Sequence, residues 1–188
     1  MKAVSKILTL VSITLILSAC VQVTPEVKKS SNQLAISSVR DLPNTYPKDS
    51  LFNLSPKYVK ETSLKAEQTQ AIYQLYTNAI SQDLELNGYK VAQTSQQAAF
   101  HIGFGIALSD DFTDDNINEK FGVSPGLPDQ AGLKKGSFLV YVEDAATGQR
   151  VWRGIAQGFA HEELSTQERE LRTQVIVASV MKQFYQTN

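Results

Sequence analysis

Residues 138–143, Phe-Leu-Val-Tyr-Val-Glu, and residues 150–159, Arg-Val-Trp-Arg-Gly-Ile-Ala-Gln-Gly-Phe, decide the fold of this chain. Both runs are rich in β-branched and aromatic residues, which favour strands. The segment between them, Asp144-Ala-Ala-Thr-Gly148, ends in a glycine that can take the left-handed conformation that such loops need. The sequence therefore predicts a β-hairpin here.

Two more strands are predicted before the hairpin. Alternate positions from Phe100 to Leu108 are apolar, which is typical of a strand with one strongly apolar face. Leu34 to Val39 is a shorter candidate strand. The polar stretch that follows contains Pro43, Pro47 and Pro56, and we expect no regular element there.

Two amphipathic helices complete the pattern. Apolar residues recur at three- and four-residue spacing from Leu64 to Leu86, and Asn87-Gly88 is a plausible helix stop. A second helix is predicted from Glu162 to Tyr185. The order β-α-β-β-β-α favours an α+β fold, with an antiparallel sheet of about four strands and both helices on one face.

The N-terminus has the layout of a secretory signal. Lys2 and Lys6 precede an apolar run of eleven residues, Ile7 to Leu17, which is too short to span ~30 Å of hydrocarbon as a helix. The run ends in Leu17-Ser-Ala-Cys20, which resembles the bacterial lipobox, where the cysteine receives a diacylglyceryl group and becomes the first residue after cleavage. Cys20 is the only cysteine, so a disulfide within one chain is excluded.

We therefore predict three parts: a lipoprotein signal peptide (1–19), a lipidated Cys20 with a flexible tether (20–33), and a single periplasmic α+β domain (34–188). A flexible tether of about 13 residues spans roughly 20 Å, which keeps the domain near the membrane. The residue after the cysteine is Val21, and not the Asp that many Gram-negative bacteria use to retain lipoproteins in the inner membrane. We expect the periplasmic side of the outer membrane.

The hairpin also carries a family resemblance. The run from Gly136 to Asp144, followed by Thr147-Gly-Gln-Arg-Val-Trp152-Arg-Gly154, resembles the C-terminal signature of a bacterial lipoprotein family known as domain of unknown function 4136. Leu86-Asn-Gly-Tyr89 before a strand and the amphipathic last helix fit the same pattern. The resemblance covers roughly residues 64–184. It implies a fold and supplies no mechanism, cofactor or site residue.

The charge balance argues against one class of partner. Removal of Lys2 and Lys6 with the signal leaves 16 basic residues against 19 acidic ones, a net charge of −3. No basic stripe is available to neutralise phosphates, so we expect no nucleic-acid binding. Attachment to the membrane is expected through the acyl group on Cys20 alone.

The sequence contains no recognisable catalytic constellation, and we expect a non-enzymatic protein without cofactor or metal. His101 and His161 are the only histidines, and neither has a second ligand at zinc spacing. Gly103-x-Gly105 lacks the third glycine and the following helix of a phosphate-binding loop. No serine occupies a Gly-x-Ser-x-Gly elbow.

The segment from Ser109 to Lys135 is long for a loop in a compact domain, and loops of this length tend to be functional or disordered. Asp114-x-Asn116-x-Asn118 resembles the start of a calcium loop. Position six is nevertheless Glu119, where the sharp turn needs Gly, and position twelve is Pro125, where a bidentate Glu belongs. A solvated acidic loop is the simpler interpretation, with one short turn of helix over 116–121.

Small residues on two strands suggest a binding surface. Ala99, His101, Gly103, Gly105 and Ala107 alternate with the apolar face of their strand, and Trp152, Gly154, Ala156, Gly158 and Ala160 form a similar series. Glycine in a strand often marks close approach of another backbone or a ligand. If the two series are neighbours, they form a trough on the sheet face away from the helices. Its contact residues would be Tyr141, Trp152, Arg153 and His101, together with the 109–135 loop; alternatively, Trp152 protects the glycines or the helices pack closely there.

Three functional hypotheses follow from these observations. The first is an outer-membrane-anchored module that binds or scaffolds another envelope component, protein or lipid-like. The second is a carrier of small amphiphilic or lipid-like ligands, which requires an apolar cavity of about 300 Å³ or more between helices and sheet. An envelope hydrolase is the third.

Overall fold

A computed structural model of the chain describes residues 33–57, 63–93, 97–123, 126–161 and 163–186. The predicted signal peptide, the lipobox and residues 20–32 of the tether lie outside the described residues. The elements, in chain order, are β1 (Leu34–Arg40), β2 (Leu51–Pro56), α1 (Ala66–Leu86), β3 (Lys90–Val91), β4 (Phe100–Leu108), α2 (Asp114–Phe121), β5 (Lys135–Asp144), β6 (Arg150–Phe159) and α3 (Thr166–Tyr185).

The predicted hairpin is confirmed and lies inside a six-stranded sheet of order β1-β6-β5-β4-β2-β3. The pairs β1–β6, β6–β5 and β5–β4 are antiparallel. β2 pairs parallel with both β4 and β3, because α1 forms the crossover that parallel strands require. The hairpin register shifts between Val142 and Glu143, where a β-bulge interrupts the pairing.

The α+β class is confirmed, but the expectation of about four antiparallel strands and two helices understates the fold. The described residues form a mixed sheet of six strands with three helices. β2 occupies the proline-containing stretch that we expected to be irregular. Pro56 ends this strand, a position where a missing N–H is tolerated.

α1 and α3 pack together on one face of the sheet and bury an aromatic core. The apolar side chains of β4 face this layer: Phe100 stacks near Phe52 of β2, and Phe104 stacks on Tyr73 of α1. Phe184 of α3 contacts the same cluster. Burial of these rings provides the main driving force for folding, at roughly 25 cal/mol per Å² of apolar surface.

Local signals fix the ends of the two long helices. Gly88, with φ of 87°, ends α1 in the left-handed conformation, as Asn87-Gly88 predicts. α3 begins at a capping box, in which the Ser165 hydroxyl accepts the Glu168 N–H and the Glu168 carboxylate accepts the Ser165 N–H. Within the described residues, neither helix is long and apolar enough to cross a membrane.

Residues 109–123 and 126–135 of the long segment lie against the sheet face opposite α1 and α3. They include α2, which the sequence indicated only as one short turn. Thr113 caps α2 by accepting the Asn116 N–H, and Gly122, with φ of 65°, ends it. A second apolar cluster holds the segment in place: Ile117 and Val123 pack on Leu139 and Ile155.

Candidate binding surface on the open half of the sheet

The strand register determines which predicted contact residues share a face. Cross-strand partners lie on the same face of an antiparallel sheet, and Tyr141 is paired with both Gly103 and Arg153. Together with His101, which is two residues from Gly103, these residues lie on the face away from α1 and α3. Three of the four predicted contact residues, His101, Tyr141 and Arg153, therefore share one face.

Trp152 lies on the opposite face, and the predicted trough is wrong. Its side chain is 1% exposed, and its ring centroid lies 5.6 Å from that of Phe184 on α3. The small residues of β6 also face the helices: a β-carbon at Gly154 would stand 2.8 Å from Val180 Cγ1 and 2.5 Å from Trp152 Cη2. The glycine allows α3 and the indole to approach the strand, so the two series of small residues lie on opposite faces.

Tyr141 covers Gly103 of β4 instead. A β-carbon at Gly103 would stand 2.0 Å from Tyr141 Cζ, so the ring lies directly against the backbone of β4. The ring remains half-buried. Burial and, to a lesser degree, the neighbouring Glu143 charge raise the pKa of Tyr141 above its ordinary value of 10.0, so its hydroxyl is protonated at neutral pH, as in tyrosine generally. The hydroxyl is thus available as a hydrogen-bond donor or acceptor.

Arg153 connects this face to α2. Its Nη1 lies 2.6 Å from Asp41 Oδ1, and Arg150 Nε lies 3.1 Å from Asp41 Oδ2. A β-carbon at Gly122 would stand 3.1 Å from Arg153 Nη2, so the guanidinium lies below the C-terminal end of α2. A cation is favourable at this end of a helix. Arg153 therefore positions α2, in addition to any contact with a partner.

A buried polar network fixes the other end of α2. Lys135 Nζ, on a buried side chain, lies 2.7 Å from Asp114 Oδ2 and 2.8 Å from Asp129 Oδ1. Gln157 Nε2 donates to Asp114 Oδ1 over 2.6 Å and to Ser137 Oγ over 3.2 Å. Burial acts to raise the pKa of Asp114, but hydrogen bonds from Lys135 and Gln157 outweigh it and hold that pKa below its usual range.

Among the described residues, α2 thus covers half of this sheet face and leaves the other half open. The covered half consists of β1, β6 and the first part of β5, where Leu139 and Ile155 are buried. The open half has half-buried side chains from three strands. We call this the open surface; it consists of Asn53, Ser55, His101, Tyr141 and Glu143.

The acidic segment forms internal contacts. Asp110 lies 3.6 Å from Lys134 Nζ, Asp111 accepts the Ser63 N–H at 2.8 Å, and Asp114 belongs to the Lys135 network. Residues 114–121 are helical, where a calcium loop would need a sharp turn at Glu119. Across the described ranges, no three His, Cys, Asp or Glu side chains come together as a metal site would require.

A depression of about 560 Å³ lies at the β3 edge of the sheet, outside the layer between helices and sheet. Its lining includes Leu51 and Tyr89, but also the ion pair of Asp49 and Lys90 and the carboxylate of Glu85. Its position and charged lining differ from the apolar internal cavity that the carrier hypothesis requires. The sequence did not indicate this depression.

Comparison with known proteins gives a family and a fold. The family model described as domain of unknown function DUF4136 matches residues 45–184. Among solved structures, a DUF4136 family protein from Bacteroides thetaiotaomicron is 14% identical, with a TM-score of 0.51 over 80% of this chain and 95% of that chain. A PelC dodecamer from Paraburkholderia phytofirmans is 11% identical, with a TM-score of 0.49 over 79% and 95%. No curated protein matches.

Proposed function

The chain belongs to the DUF4136 family, and we propose from this premise that it is a lipid-anchored module of the cell envelope. In this proposal it binds another envelope component through the open surface and carries out no reaction. The partner is a protein or a lipid-like molecule. The observation that carries the proposal is the combination of the lipobox at Leu17–Cys20 with a sheet face that α2 covers only in part.

The anchor follows from the chemistry of the cysteine. One acyl chain gives only marginal membrane binding, at about 0.8 kcal/mol for each buried CH₂, whereas two or three chains hold a protein stably. A diacylglyceryl group on Cys20 therefore suffices without any membrane-binding surface on the domain. Val21 in place of Asp supports the outer membrane as the destination.

The open surface has the composition of a contact site. Tyr141 offers a rigid ring with a hydroxyl, and aromatic residues are enriched among interface hot spots. Asn53, Ser55 and His101 surround the ring with groups that both donate and accept hydrogen bonds. His101 and Tyr141 lie on β4 and β5, which are paired on both sides, so a partner loses little entropy in ordering this part of the face.

Site-specific photocrosslinking in the intact envelope tests this proposal. A photoreactive amino acid at Ser55, across Gly103 from Tyr141, is expected to capture a discrete partner that mass spectrometry can identify. The same amino acid at Gln149, in the exposed hairpin loop, serves as the matched control. Capture should fall when Tyr141→Ala is introduced. Equal capture from both positions, or capture that is insensitive to Tyr141→Ala, would reject the open surface as the contact site.

A further inference from the structure

The outer surface of the helix layer lacks charge in its middle part. Residues 71–82 of α1 and 173–181 of α3 include no Asp, Glu, Lys or Arg. The side chains of Gln82 and Gln174 bond across the seam at 3.1 Å, so the outer sides of the two helices are continuous. We call this the helix-layer surface; its exposed residues include Ala71, Asn78, Gln82, Leu171, Gln174 and Val175. Depletion of charge is typical of the core of a protein interface.

α3 adds an apolar ridge to this surface. Leu171 and Val175 are 56% and 62% exposed, and their spacing of four residues places them on the same side of the helix. Ala178 extends the ridge, and the exposed Glu168 and Lys182 end it. Positions 168, 171, 175, 178 and 182 alternate in steps of three and four, the spacing that allows two helices to pack along a straight seam.

The charges at the two ends of the ridge point to the occupant. Glu168 and Lys182 are each seven residues from Val175, on opposite sides of it. If a second α3 packs antiparallel about a two-fold axis at Val175, Glu168 of each copy faces Lys182 of the other. A parallel arrangement would instead place like charges together. Amide side chains such as those of Asn78 and Gln82 both donate and accept hydrogen bonds. Each can therefore bond to the same residue of the second copy across such an axis.

We propose that the helix-layer surface binds a second copy of this chain, with the α3 helices antiparallel and Val175 at the two-fold axis. Two helices of about 20 residues are ~30 Å long and together ~20 Å wide, which gives roughly 600 Å² per copy. The total of about 1,200 Å² is at the lower end of the range for specific interfaces. The pairing does not rest on the proposed function, because the open surface lies on the other side of the sheet and stays free in the dimer.

Cross-linking of the full-length chain from detergent-solubilised membranes tests the geometry. Val175→Cys should give covalent homodimers with a short bismaleimide reagent, since position 175 meets its own copy. Val91→Cys, which is on β3 at the sheet edge and 40% exposed, is the control and should give none. The unsubstituted chain controls for Cys20. Linkage of Val175→Cys to a different protein, or equal homodimer yields from both cysteines, would overturn the proposal.

Charge exchange tests the orientation. By sedimentation, Lys182→Glu should raise the Kd of the dimer roughly tenfold or more, because it places two carboxylates at each end of the ridge. Adding Glu168→Lys to Lys182→Glu should restore the dimer; because the Glu168 carboxylate also belongs to the capping box of α3, denaturant unfolding checks that this double variant is folded. Val175→Glu should abolish the dimer while the exposed position leaves folding intact. A chain that is monomeric at all concentrations, or a dimer unaffected by Val175→Glu, contradicts the proposal.

Discussion

Tyr141 lies against the backbone of Gly103, so closely that a β-carbon at position 103 would stand 2.0 Å from the phenol Cζ. The two residues are direct partners in the pairing of β4 with β5. The ring shields a glycine that would otherwise weaken the strand, a known means of stabilising glycine in sheets. The same contact fixes the position of Tyr141 on the open surface.

Gly103→Ala should therefore displace the ring and destabilise the domain by about 1–3 kcal/mol, as added methyl groups do in packed sites. The cost should largely vanish in a Tyr141→Ala background, since the clash is then absent. Denaturant unfolding of the single and double variants measures this coupling. Equal costs in the two backgrounds would show that the ring does not occupy the space above Gly103.

Trp152→Ala should destabilise the protein by about 3–5 kcal/mol, the usual cost of truncating a buried large aromatic residue. The reason is its packing between β6 and Phe184, with 1% of the side chain exposed. Trp152→Phe should cost less because it retains a ring. Denaturant unfolding measures the free energy of unfolding of both variants. A loss well below 3 kcal/mol for Trp152→Ala would indicate that Trp152 lies on the exposed face, as the sequence suggested.

Lys135→Met should loosen α2, because it leaves Asp114 and Asp129 without their shared cation. We expect a loss of about 1–3 kcal/mol, typical of a broken buried hydrogen-bonded charge. Lys134→Met is the matched control: its surface ion pair with Asp110 should contribute less than 1 kcal/mol. Hydrogen exchange of the amides of residues 114–121 should accelerate in the first variant only.

The difference in stability between wild type and Lys135→Met should also depend on pH. The folded-state pKa of Asp114 lies below its ordinary value of 3.8, so its contribution is complete above that value. It is lost as the pH falls through the lower folded-state pKa. Unfolding curves should therefore converge in acid. A difference that stays constant from neutral pH to well below the ordinary carboxylate pKa would exclude Asp114 as the partner that matters.

The strongly periodic helices and strands could be predicted from the sequence. Which face of the sheet the helices cover could not. The alternation from Phe100 to Leu108 and the glycine stop at Gly88 are local signals, and both are confirmed. The alternation of side chains along a strand shows which residues share a face, but it does not show which face the helices cover. For this reason the sequence assigns Trp152 to the face away from the helices, whereas it lies on the face that they cover. The glycine at position 154 suggests an open trough in the sequence. In the structure, its missing side chain allows α3 to approach β6 closely at Val180.

β2 and α2 depended on non-local contacts. Pro56 suggested an irregular segment, but β2 is stabilised by parallel pairing with β4, which is distant in sequence. α2 carries one buried apolar residue, Ile117, so its amphipathic signal is weak. α2 is held by the polar network of Lys135, Asp114 and Gln157. These three residues lie on two strands and a helix that are distant in sequence, so no sequence motif indicates the network.

Calcium should have no effect on stability. The start of the calcium-like motif forms part of α2, and Asp114 is occupied by Lys135 and Gln157. We expect the same melting temperature with millimolar calcium and with a chelator. A rise of several degrees with calcium that the chelator reverses would require a site that the acidic segment does not display in this conformation.

The intact mass of the mature protein, purified from the membrane fraction, shows whether this chain is a lipid-anchored envelope protein. We expect a chain that begins at Cys20 and carries a diacylglyceryl modification, in the outer-membrane fraction. Cys20→Ser should leave the domain folded but release it from the membrane or stall the precursor. An unmodified mature chain, or one that begins at another residue, would exclude lipid anchoring at Cys20.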